Sequence, residues 1–136
     1  MHISPLYNSL TKLRTYVAVV CWSVNAAFVT RPSNVAVSTE SVVVFTCITD
    51  STSSSPVLID WFYTAVGSGR TLIAPNCDVR QQHQSVYRTD RAAGVCNLTV
   101  NSVQLTNAGT YWCQDGESGD FSTAELVVLG KLFTAF

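Results

Sequence analysis

The chain has 136 residues, of which 47% are hydrophobic and 12% are charged, and its formal net charge is −1. This length fits one domain. A nearly neutral chain with no basic patch and no charged tail argues against a nucleic-acid-binding surface.

The N-terminal segment has the layout of a secretory signal peptide. Lys12 and Arg14 precede an apolar run at 17–24, and Ala26 completes a small-residue cleavage pattern. A membrane anchor is the alternative, but the run is about half of the ~20 residues that a spanning helix needs. Cleavage leaves four of the five cysteines and a net charge of −3, from 6 Lys and Arg against 9 Asp and Glu. We therefore predict a signal peptide, an extracellular domain and a short tail at 1–26, 27–130 and 131–136.

Short strands begin the domain. A strand is predicted at 28–30, and Pro32 interrupts it because proline cannot donate to a β-ladder. Apolar alternation resumes at 35–37. A further strand at 42–48 has one apolar face, and that face includes Cys47.

A polar loop and two strands follow. The small, polar residues at 49–56 predict a flexible loop. The strand at 57–64 alternates so that Trp61 lies on one side and Phe62 on the other. A glycine-serine turn then leads to a strand at 70–74.

Two more strands are predicted at 86–89 and from Cys96 onward. Leu98 has the parity of Cys96, so both side chains point toward the core, whereas Asn97 points outward. Asn97-Leu98-Thr99 is the only Asn-x-Ser/Thr sequence in the chain. It predicts an N-linked glycan at Asn97.

The segment around Cys113 has the most specific pattern. Gly109 lies in a turn before the strand, and Tyr111 stands two residues before Cys113. A tyrosine at this position bonds back to the backbone near the preceding bend. Because Cys113 points inward, Trp112 and Gln114 point outward.

The spacing of these residues is typical of one family. Trp61 follows Cys47 by 14 residues and precedes Cys113 by 52. With Tyr111 and Gly109 in register, the pattern resembles an immunoglobulin V-set domain of the kind found in cell-surface and secreted immune-type receptors and adhesion proteins. The resemblance implies an all-β fold, a V-type Greek-key sandwich of two antiparallel sheets, with nine strands because of the long second interval. Its core signature here is Trp61, Tyr111, Gly109 and Leu98.

The resemblance also implies a disulfide between Cys47 and Cys113, with Trp61 packed against it. We predict a second disulfide, between Cys77 and Cys96, because an even number of cysteines in a secreted domain fits two bridges. Zinc is the alternative, but the spacing contains no Cys-x-x-Cys and only His83 is nearby.

Catalytic patterns are missing from the sequence. Once the signal is removed, His83 is the one histidine, and there is no Gly-x-Ser-x-Gly, His-Glu-x-x-His or phosphate-binding loop. Asp78 and Ser85 are close to His83 in sequence, an arrangement that usually arises by chance. We predict that the protein is not an enzyme and uses no cofactor and no metal.

An exposed aromatic pair predicts a binding face. The resemblance places the strands lettered C and F, at 57–64 and around Cys113, side by side in the G-F-C-C′ sheet, so Phe62 and Trp112 meet on its outer side. The loop at 115–121 adds three carboxylates and two glycines, and we expect it to be acidic and mobile. The predicted partner-binding residues are Phe62, Trp112, Gln114, Asp115, Glu117, Asp120 and Phe121.

The expected partner is a protein or a glycan with a basic or polar rim, and a second copy of the chain is one candidate. A spacer domain in a longer cell-surface receptor is the alternative function. The tail at 131–136 is too short to span a membrane. We expect a secreted or extracellular protein, either complete or continuing beyond Phe136.

Overall fold

A computed structural model describes residues 28–130. The predicted signal peptide, its cleavage point and the tail lie outside the described residues. The strands are β1 (Phe28–Thr30), β2 (Val35–Ser38), β3 (Val43–Phe45), β4 (Ile48–Thr49), β5 (Ile59–Thr64), β6 (Arg70–Ala74), β7 (Tyr87–Ala92), β8 (Val95–Val100), β9 (Gly109–Asp115) and β10 (Phe121–Leu129). Three-residue 3₁₀ turns lie at Pro75–Cys77, Gln81–His83 and Leu105–Asn107. The described part of the chain contains no helix that is long and apolar enough to cross a membrane.

The strands form two five-stranded sheets. In the first sheet the order is β1-β4-β8-β3, and β7 also pairs with β8. In the second sheet the order is β2-β10-β9-β5-β6. All pairs are antiparallel except β2 with β10, which is parallel. The predicted all-β sandwich is confirmed.

The core fills the space between the two sheets. Residues of β9 alternate strictly between buried and half-buried, as expected for a strand with one side on a core. Trp61 lies opposite Cys113 in the pairing of β5 with β9, and its indole N–H donates to the carbonyl of Cys96 at 3.3 Å. The largest fully buried side chains are Trp61, Tyr111, Phe45, Ile59, Ile73 and Leu98. Burial of each contributes about 1.5–3 kcal/mol.

Two disulfides cross-link this core. Cys47 is bonded to Cys113 with 6.5 Å between their Cα atoms, and this bridge joins the two sheets. Cys77 is bonded to Cys96 with 5.8 Å between Cα atoms, and it ties the turn after β6 to β8. All four cysteines are fully buried. Within residues 28–130, no group of three or more His, Cys, Asp or Glu side chains could hold a metal ion.

The connection from β6 to β7 consists of two 3₁₀ turns rather than an additional strand. Asn76 and Cys77 have φ values of 49° and 60°, which a β-ladder does not accommodate. The carboxylate of Asp60 accepts the Asn76 N–H at 2.7 Å and so holds the turn against β5. The start of the connection is therefore anchored twice, by this hydrogen bond and by the disulfide at Cys77.

Three tyrosine hydroxyls converge on the turn before β9. The Tyr111 hydroxyl donates to the carbonyl of Asn107 at 2.8 Å, the back-bond predicted from its position before Cys113. The Tyr63 hydroxyl donates to the carbonyl of Ala108 at 2.6 Å. The hydroxyls of Tyr87 and Tyr111 lie 2.9 Å apart. The Tyr111 and Tyr63 bonds satisfy the turn carbonyls of Asn107 and Ala108.

The free energy of unfolding is expected to fall as the pH rises above 10. Burial raises the pKa of Tyr87 to about 12 from its ordinary 10.0 and also raises the pKa of Tyr111. Unfolded tyrosine ionises near pH 10, while these phenols stay neutral in the fold. Their contribution is therefore complete below pH 10 and is lost as the pH rises through the folded pKa values.

Urea unfolding at pH 8 to 12 measures this effect. The free energy of unfolding should decline less steeply with pH for Tyr87→Phe, because this variant lacks one of the two phenols with a raised pKa. Samples returned to pH 8 control for chemical damage. Equal slopes for the two proteins would contradict the assignment of the effect to Tyr87.

Candidate binding face

Aromatic side chains lie on the outer side of the second sheet. Alternation along β5 and β9 buries Trp61 and Cys113 and turns the next residue of each strand outward. Phe62 and Trp112 are directly opposite each other in the ladder, and both are half-buried. Phe62 and Trp112 therefore lie side by side on the outer side of the sheet, as expected from the sequence.

Three rows of side chains cross this face from β10 to β6. The middle row is Thr123, Trp112, Phe62 and Leu72. The row on one side of it is Glu125, Thr110, Thr64 and Arg70. The row on the other side, next to the loop between β9 and β10, is Phe121, Gln114 and Asp60. The middle row therefore contains two aromatic side chains, one flanking row is polar, and the other contains Phe121 beside two polar residues.

Phe62, Trp112 and Phe121 form what we term the aromatic centre. The Phe121 and Trp112 ring centroids are 4.9 Å apart, and Phe121 is 51% exposed. The indole N–H of Trp112 donates to the Thr64 hydroxyl at 2.9 Å. This bond fixes the orientation of the indole, because it satisfies the one polar group of the ring.

Arg70 lies over the aromatic centre and was not among the predicted site residues. Its guanidinium carbon is 4.2 Å from the ring centroid of Phe62 and 5.2 Å from that of Trp112. A cation over an aromatic face contributes about 0.5–1 kcal/mol at an exposed site. The register of β6 against β5 brings Arg70 there, and that register was not apparent from the sequence.

Asp115 has a different place from the one expected. It was expected on an acidic rim, but it is only 4% exposed. It has the inward parity of Cys113, so its carboxylate lies inside the loop between β9 and β10. That carboxylate accepts the Ser118 hydroxyl at 2.8 Å and the Ser118 N–H at 3.3 Å. Asp115 is therefore a residue that shapes the loop.

Further hydrogen bonds hold the loop in one conformation, although we expected a mobile segment. The Gly119 N–H donates to the carbonyl of Asp115 at 2.8 Å, and the Gly116 N–H donates to that of Leu58 at 2.8 Å. The Gln114 amide donates to the carbonyl of Gly119 at 3.0 Å. Glu117 and Asp120 are exposed, so two of the three expected carboxylates lie at the surface.

Asn97 lies on β8 in the first sheet, away from the aromatic centre. It is half-buried, and its side-chain oxygen is buried without a hydrogen-bond partner among the described residues. Thr99, the third residue of the sequon, is only 1% exposed. The predicted glycosylation site therefore lies on the first sheet and the predicted binding face on the second.

Comparison with known proteins agrees with this geometry. The family model for the immunoglobulin V-set domain matches residues 30–129, which includes every strand from β2 to β10. A search of curated proteins finds no match.

Proposed function

The chain belongs to the immunoglobulin V-set family, whose members are generally non-enzymatic binding modules, and on this premise we propose that it is an extracellular recognition domain. In this proposal the domain binds a protein or glycan partner through the outer side of its second sheet. Phe62, Trp112 and Phe121 contact the partner, and the exposed carboxylates of Glu117 and Asp120 lie at the rim.

The aromatic centre is the observation that carries the proposal. Interface cores are enriched in aromatic residues, and a polar, solvent-accessible rim surrounds them. Here Phe121 is half exposed and packs on Trp112, and polar side chains such as Gln114, Thr110 and Thr64 surround the rings. Large rigid rings on a sheet surface offer apolar contact area at a low cost in side-chain entropy.

The two buried disulfides support the extracellular part of the proposal. Disulfides form and persist in oxidising environments and are rare in the cytosol. Both bridges lie in the core, where they stabilise the same region around Trp61.

Substitution of the aromatic centre tests the binding face. Tetramers of the domain are applied to arrays of extracellular proteins and of glycans, and sedimentation measures self-association. Trp112→Ala and Phe62→Ala are each expected to weaken binding of the ligand found by about 2 kcal/mol, roughly 30-fold, because truncation of an aromatic anchor removes desolvated contact area.

Val44→Ala is the matched control, because Val44 is 54% exposed but lies on the first sheet. Circular dichroism establishes that each variant is folded. Normal binding by both aromatic variants would contradict the proposal, as would the absence of any protein, glycan or self-association at micromolar concentration.

We further propose that Asn97 carries an N-linked glycan, which would cover the first sheet and leave the aromatic centre free. Protein secreted from eukaryotic cells should lose mass on treatment with a peptide N-glycosidase. Asn97→Gln should abolish this shift, whereas Thr99→Ser, which preserves the sequon, should retain it. An unchanged mass for the natural sequence after treatment would refute the assignment.

A further inference from the structure

Arg70 is the one basic residue in the five strands of the second sheet. The three carboxylates in those strands, of Asp60, Asp115 and Glu125, already accept hydrogen bonds from other groups. The Glu125 carboxylate accepts the Thr110 hydroxyl at 2.6 Å. The Asp60 carboxylate accepts the Asn76 N–H at 2.7 Å.

The rings beneath Arg70 orient its guanidinium. Contact with Phe62 and Trp112 covers one side of the group at 4.2 and 5.2 Å. Stacking on an aromatic surface leaves the N–H edges of a guanidinium free. Those edges form a planar fork that matches both oxygens of a carboxylate. The side chain is therefore preorganised for a bidentate bond with an incoming anion.

Any partner that covers the aromatic centre also covers Arg70. A charge that is buried without a partner carries a large desolvation penalty, whereas a hydrogen-bonded ion pair offsets it. A partner with only apolar or basic groups at this point would bind weakly for that reason. The charge on Arg70 thus selects for an acceptor anion on the partner.

We propose that Arg70 binds an Asp or Glu side chain of a protein partner, with the aromatic centre packed around that ion pair. This inference rests on the proposed function and names the chemistry of the partner at the same face. The outward side chains of β10 run from Phe121 through Thr123 and Glu125 to Val127, which is 50% exposed and about 20 Å from Phe121. A mixed apolar and polar face of that length exceeds a single sugar ring and fits a protein surface. Trp and Arg are also the residue types enriched in protein–protein hot spots.

A displayed library tests the inference without a known ligand. Tetramers of the oxidised domain select binders from a yeast-displayed library of random dodecapeptides. Clones that lose binding to the Trp112→Ala domain are kept, because they contact the aromatic centre. We expect these clones to be enriched in Asp or Glu at one position and to bind Arg70→Gln at least ten-fold more weakly. Arg70→Lys retains the charge but not the planar fork, so its affinity for these clones should lie between those of the natural domain and Arg70→Gln.

Substitution of that acidic position in the peptide completes a double-mutant cycle. Asp→Asn or Glu→Gln should weaken binding to the natural domain at least ten-fold and have little effect on Arg70→Gln, because the pair is then already broken. Arg70 is exposed, so the variants should stay folded, which circular dichroism checks.

Three results would overturn the inference. Clones that depend on Trp112 but show no acidic enrichment and bind Arg70→Gln normally would refute the role of Arg70 and leave the binding face intact. A selection with no clone dependent on Trp112 would overturn the face and the inference together. The third result is Arg70-dependent binding of sialylated or uronic oligosaccharides on an array, without acidic enrichment in the peptides. The carboxylate that Arg70 binds would then belong to a glycan, and the protein partner would be refuted.

Discussion

Replacement of Cys47 and Cys113 together by alanine is expected to reduce the free energy of unfolding by about 4 kcal/mol. The bridge closes a sequence separation of 66 residues, and the cost in the chain-entropy model grows with the logarithm of that length. Because most domains have 5–15 kcal/mol of stability, such a loss leaves a large unfolded fraction. Urea unfolding of the natural protein and of the double variant, with the same linear extrapolation, measures the difference in the free energy of unfolding.

The matched comparison is the double replacement of Cys77 and Cys96. This bridge spans 19 residues, so the same model gives about 3 kcal/mol. The loss should be larger for the first pair, which also joins the two sheets beside Trp61. Equal stability of the natural protein and the Cys47/Cys113 variant under oxidising conditions would contradict this prediction.

Gly109→Ala is expected to destabilise the fold by about 3 kcal/mol. Gly109 has a φ of 146°, a conformation that L side chains rarely adopt. A Cβ there would overlap the backbone oxygen of Thr64 and lie 3.0 Å from the Tyr63 ring. Strain at such a position costs about 1–3 kcal/mol, and steric overlap in a packed site costs a similar amount. Thermal and urea unfolding measure the loss.

Gly69→Ala is the control for this substitution. A Cβ at Gly69 would meet no atom within 4 Å, and its φ is outside the left-handed region. Its stability should therefore change little or rise slightly, because alanine restricts the unfolded chain more than glycine does. If the two variants proved equally stable, the close approach at Gly109 would have no energetic role.

The fold was largely predictable from the sequence because the strands have a strong period of two. Cys47, Trp61 and Cys113 fix the inward parity of three strands, and β6 runs over the predicted 70–74. The match over residues 30–129 confirms the family suggested by that spacing. The connection between β6 and β7 was not predictable in the same way. Its left-handed residues and its hydrogen bond to Asp60 depend on tertiary contacts.

The candidate site was predictable where parity alone decides. Phe62 and Trp112 follow directly from inward neighbours in β5 and β9. The same alternation buries Asp115, because β9 extends to this residue. The expectation that Asp115 lies on the exposed rim was wrong, since the sequence analysis placed Asp115 in the loop. Arg70 depended on the register of β6 against β5, which no local pattern specifies.

The hydrogen-bonded loop between β9 and β10 has a consequence for how the surface can diversify. Its conformation is held by main-chain groups, by Gln114, and by the side chains of Asp115 and Ser118. The side chains of Glu117 and Asp120 project from this frame. In the proposed binding role, substitutions at these two exposed positions would change the chemistry offered to a partner and leave the hydrogen bonds of the frame in place. Because these hydrogen bonds order the frame before binding, the proposed partner would not bear the entropy of ordering it, about 1–2 kcal/mol per residue.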